Sequence, residues 1–93
     1  MEGDSVISPE VVARYAADAV VEIDGVTRIV SGARRGIRVD GDTVELHVAL
    51  RYGVSIDAVG EAIQLSVASY LERMTDARPA AVNVIVDEID VIV

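Results

Sequence analysis

The residues of this chain able to do chemistry are few. His47 is the only imidazole, and there is no cysteine. The residues around His47 alternate in polarity, which places it on the strand face opposite Leu46 and Val48. With no cysteine or second histidine to work with, a lone imidazole there reads as a surface or interface group rather than a catalytic base. Asp40-x-Asp42 with Glu45 begins like a calcium loop but lacks the rest of its twelve-residue ligand pattern, so it reads as a turn with solvated acids. Asp87, Glu88 and Asp90 form a second acidic group, placed where charge guards an exposed strand edge. Gly32-Ala-Arg-Arg-Gly36 matches neither a phosphate-binding loop nor a dinucleotide fingerprint. No catalytic residue, cofactor site or metal site is expected from these groups.

Charge distribution suggests contact instead. Arg28, Arg34, Arg35 and Arg38 fall within a stretch that contains no acid, in a chain of net charge −8. Such a segment is either a solvated basic loop or a docking patch for an acidic partner, a second copy of the chain included. A second candidate contact surface is the exposed sheet face carrying His47, Arg51, Asn83 and Ile85, for which ordinary solvent exposure is the competing reading.

The elements that position these residues centre on Thr43 to Met74. Val44, Leu46, Val48, Leu50 and Tyr52 recur at every second place, the signature of a strand with one buried face. Gly53 permits a turn, Ser55 suits a helix N-cap and Asp57 suits the positive end of the helix. Ile56, Val59, Ile63, Val67, Tyr70, Leu71 and Met74 then form one apolar stripe. Upstream, Ser8-Pro9-Glu10 starts a helix whose stripe is Val12, Tyr15, Ala16, Ala19, Val20 and Ile23, and Gly25 stops it. Residues 26–30 fit a short edge strand or an extended loop. Asp40-Gly41 marks a hairpin between 37–39 and the strand from Thr43.

Val82, Val84 and Val86 give a third main strand. Ile89, Val91 and Val93 are out of phase with it, which a bulge, a second short strand or a loose tail would each explain. The expected architecture is a two-layer α+β domain in the order α-β-β-α-β. Its sheet has about three strands, a hairpin plus the C-terminal strand, with both helices on one face. Residues 1–6 read as a flexible lead-in, 7–93 as one domain, and 88–93 as a tail or extra short strand.

Ninety-three residues suffice for one domain, which buries roughly 60–65% of its unfolded surface. Lysine is absent, and the acidic balance opposes contact with nucleic acid or anionic lipid. The acidic start Met1-Glu2-Gly3-Asp4 is unlike a secretory signal, and no apolar run approaches the ~20 residues that span a bilayer. A cytoplasmic location is expected, with any membrane association made through a partner.

Several stretches together resemble the alkaline-shock, general-stress family of envelope stress response proteins. They are Tyr52-Gly53-Val54-Ser55-Ile56, Ile63-Gln64, Val67, Met74-Thr75 and Val82-Asn83-Val84, with Ile7-Ser8, Val12, Ala16, Ala19, Glu22 and Gly25-Val26 upstream. Relatives often carry Gly after the Met-Thr pair, where Asp76 stands here, and are often Lys-rich where this chain uses Arg alone. The resemblance implies a cytoplasmic, non-enzymatic bacterial protein without a cofactor. It implies self-assembly into a homo-oligomer and attachment to the membrane through a small membrane-anchored protein.

Other relatives imply an alternative, a regulator that binds a metabolic enzyme such as acetyl-CoA carboxylase. A third reading, a KH-like RNA-binding module, fits the element order in part. It lacks the Gly-x-x-Gly clamp, and the net negative charge opposes phosphate contact.

Overall fold

The computed structural model describes residues 7–33 and 36–91. The order is α1 (Pro9–Val20), β1 (Val26–Ile29), β2 (Ile37–Asp40), β3 (Thr43–Arg51), α2 (Ile56–Thr75) and β4 (Ala81–Asp90). The two-layer α+β architecture holds, and residues 26–29 form a fourth strand beside the three main ones.

Strand β3 is the centre of the sheet. It pairs antiparallel with β2 over Thr43–Leu46 and with β1 over Val48–Leu50. On its other side β4 runs parallel along its whole length. β1 and β2 share one edge of β3 end to end. The amide of His47 donates to the Gly36 carbonyl, and its carbonyl accepts from the Val30 amide, at the point where the chain leaves that edge and returns to it. The parallel β3–β4 pair is joined through α2, because parallel neighbours need a crossover that a two-residue turn cannot supply. The β2–β3 link is such a turn, with Gly41 at φ 61°.

Both helices start as their sequences require. Ser8 Oγ accepts from the Val11 amide at 3.3 Å, and Ser55 Oγ from the Ala58 amide at 3.2 Å, each satisfying an amide that has no partner within the helix. α1 ends at Val20, ahead of the Gly25 stop. Glu22 and Ile23 donate to Ala19 and Val20, i→i−3 bonds that tighten the last turn into Gly25. α2 ends at Asp76, whose backbone adopts the left-handed conformation (φ 62°) and whose amide donates to the Glu72 carbonyl. That is the conformation a glycine would supply at this place.

The core lies between the helices and one sheet face. Leu46, Leu50, Ile63, Leu71, Val20, Val44, Val48 and Val67 are its largest fully buried side chains, and burying each such group stabilises by about 1.5–3 kcal/mol. Tyr15 and Tyr70 meet edge to face across the helix pair at 6.0 Å. Three residues of the expected stripes lie outside this core. Tyr52 is 71% exposed, because β3 has ended at Arg51, while Ile56 and Met74 sit exposed at the two ends of α2. The stripe between them packs inward as its spacing predicts.

Candidate functional site on the open face of the sheet

The second face of the sheet carries no helix among the described residues, yet His47 and Ala49 are buried on it, at 9% and 0% exposure. β3 is therefore buried on both faces through its middle, where its alternation predicts one. The cause is a layer of polar side chains that spans the strands.

Register builds this layer in rows. Arg38, Glu45 and Asn83 lie side by side across β2, β3 and β4. His47 lies beside Ile85, and Arg28, Ala49 and Glu88 form the next row. Arg51 lies beside Asp90 and pairs with Asp24 at 3.5 Å. Two irregularities complete the layer. In β4 the partner shifts from Val86 opposite Val48 to Glu88 opposite Ala49, so the extra residue, Asp87, sits on the same face as Glu88. In β1 the partner shifts from Val26 to Arg28, which makes Thr27 the extra residue. The phase break at Asp87-Glu88 is thus a bulge, with Ile89 back on the helix side opposite Leu50, while residues 92–93 lie outside the described residues.

His47 is held from both ends. Asp87 Oδ2 lies 2.7 Å from its Nδ1, and Glu45 Oε2 lies 2.9 Å from its Nε2. A carboxylate only accepts, so both ring nitrogens are satisfied best when both carry protons. The Glu45 bond, then the Asp87 bond, raises the imidazole above its ordinary value of 6.5, against the opposing pull of burial. The ring nitrogens point away from each other, so one ion cannot sit between all three side chains. No group of three His, Cys, Asp or Glu positioned for a metal exists among the described residues.

One row along, the Arg28 guanidinium crosses over Ala49 to bond Glu88 and, at 3.2 Å, Asp90 Oδ1. The small side chain of Ala49, fully buried, lies in the row beneath that crossing. The Thr27 hydroxyl donates to Asp90 Oδ2 at 2.6 Å. This bond, with the Arg28 contact behind it, holds the Asp90 carboxyl below its ordinary range.

Of the residues singled out in the sequence, the fold brings Arg28, Arg38, His47, Arg51, Asn83 and Ile85 onto this one face. Arg34 and Arg35 lie outside the described residues. Arg28 is an internal ion-pair partner rather than an unpaired docking cation. The carboxylates of Asp87, Glu88 and Asp90 bind groups of β1 and β3. Glu45 and Thr27 complete the layer, and the sequence reading gave neither a part in a contact surface. The interruption of the valine alternation at Asp87-Glu88 is the sequence signal that points to the bulge.

This layout defines a small α+β domain with a mixed four-stranded sheet, helices on one face, and a self-bonded polar layer on the other. Residues 34–91 match the model of the alkaline shock protein family, described as having a cell envelope-related function, and the chain belongs to that family. No curated protein matches the sequence. Among solved structures the fold is similar to a histidine-to-alanine variant of the MamM CTD, with a TM-score of 0.63 and 15% identity over 87% of this chain and 98% of that one. The cadmium form of another MamM CTD variant gives 0.62 and 16% over the same shares. A nickel form gives 0.61 and 15% over 85% and 96%. At this identity the likeness concerns the fold. No helix among the described residues is long and apolar enough to cross a membrane.

Proposed function

We propose that this protein is a non-catalytic, cytoplasmic adaptor of the envelope stress response. In this reading it works by self-association and by docking to a small membrane-anchored protein. The observation that carries the reading is the state of its ionisable groups on the open face. They bond one another across strands instead of converging on a cavity, so on this face they stiffen a surface rather than present a free base to a substrate. Family membership with a cell envelope-related function supports the setting. Arg38, Arg51 and Asn83 are exposed on this face beside a half-buried Ile85, which supports contact with a macromolecule.

The test is crosslinking in cells followed by identification of what is attached, with solution mass measured alongside. The expected result is a higher-order assembly and a co-captured membrane-anchored protein, both reduced by Ile85→Glu on the open face. A strictly monomeric protein that captures nothing would overturn the reading. So would recovery of a small molecule ringed by converging polar side chains.

A further inference from the structure

β4 is a ten-residue strand with a neighbour on one side only, among the described residues. The backbone groups of His47 point towards β1 and β2, so those of Val44, Leu46 and Val48 address β4. In a parallel ladder of this register, the amides and carbonyls of Val82, Val84 and Val86 then point away from β3. One of them has a partner: Gln64 Nε2 donates to the Val82 carbonyl at 3.1 Å. The others form an open strand edge, and the Asp87 bulge marks its end.

α2 stands over this edge as the wall of a groove. Ile56, Asp57, Gly60, Glu61 and Gln64 line it opposite Val84 and Val86. At Gly60 the wall is recessed, with no heavy atom within 4 Å of where a Cβ would sit. Asp57 and Glu61 are exposed, one helical turn apart, and make no ion pair among the described residues.

We infer that the free edge of β4 takes an extended basic segment of a partner protein as a fifth strand. Alternate apolar side chains of that segment pack under Ile56, and its cations reach Asp57 and Glu61. Charge selects this occupant over a second copy. A symmetric β4–β4 pairing would set the same two acids of each chain against their counterparts, in molecules that each carry −8. The inference rests on the adaptor reading only in taking the partner to be a protein.

The probe is a ten-residue capped peptide alternating valine with lysine, read by amide exchange and chemical shifts of the intact chain. The Val84 and Val86 amides should slow by about tenfold or more at saturation. Binding should weaken about tenfold in Glu61→Lys and fall severalfold as salt rises. Val84→Pro, which removes an outward amide and no bond to β3, should abolish the protection; Glu61→Lys, on an exposed helix face, keeps the test open if that variant does not fold. The inference is overturned by unprotected edge amides, by equal binding of a valine–glutamate peptide, by shifts confined to the His47 face, or by self-protection of the edge as the chain is concentrated. If cellular crosslinking still captures a partner while the edge stays unprotected, the assignment of this edge falls and the adaptor reading stands.

Discussion

Asp87 Oδ2 and His47 Nδ1 lie 2.7 Å apart although forty residues separate them in sequence. The bulge in β4 makes the contact, because it keeps Asp87 on the open face while Glu88 moves into the row opposite Ala49. One inserted residue thereby serves two bonds, Asp87 to His47 and Glu88 to Arg28.

The His47 clamp gives stability a defined pH dependence. The imidazole is raised in the folded state, so the unfolded chain binds this proton more weakly. Its stabilisation is complete below the ordinary value near 6.5 and is lost as pH rises through the folded value. Thermal melts of the parent and His47→Gln from about pH 5.5 to 9.5 should show the largest difference at the acid end, shrinking steadily towards alkali. A difference that grows with pH would exclude the doubly bonded imidazolium.

Ala49 is fully buried beneath the Arg28 crossing. Ala49→Leu inserts bulk where the guanidinium passes, and overpacking of this kind costs about 1–3 kcal/mol. Denaturant unfolding should report that loss, and amide exchange should speed up in β1 more than in β2.

Asp76 holds the left-handed conformation at the end of α2. Asp76→Gly removes the side-chain penalty of that backbone but loosens the unfolded chain, and the two effects partly offset. A net gain of about 0.5 kcal/mol is expected in denaturant unfolding. Asp76→Val should lose stability instead, because a β-branched residue tolerates positive φ poorly.

Gly25 combines φ 101° with crowding. A Cβ there would meet Val59 Cγ2 at 3.0 Å and Val54 Cγ1 at 3.4 Å, while its carbonyl accepts from the Arg51 amide. Gly25→Ala should destabilise by about 1–3 kcal/mol, measured by the shift in the denaturation midpoint. The far more open Gly53, also at positive φ, should cost less on the same change.

The two amphipathic helices, their serine caps, the hairpin and the valine strand are all legible in the amino-acid order. Those features are local: polarity period, capping chemistry and turn residues act within a few positions. The class is legible too, since Ile63-Gln64 and Val82-Asn83-Val84 carry the family resemblance. Gln64 and Val82 prove to be hydrogen-bonded to each other.

How the charges are used emerges only when the elements come together. Arg28 reads as a loop cation until register sets it beside Ala49, and His47 reads as solvent-exposed until Asp87 and Glu45 close over it. Pairing across strands depends on register and on single-residue bulges. A chain of alternating polarity fits several registers about equally well, until the helices and the sheet are packed together.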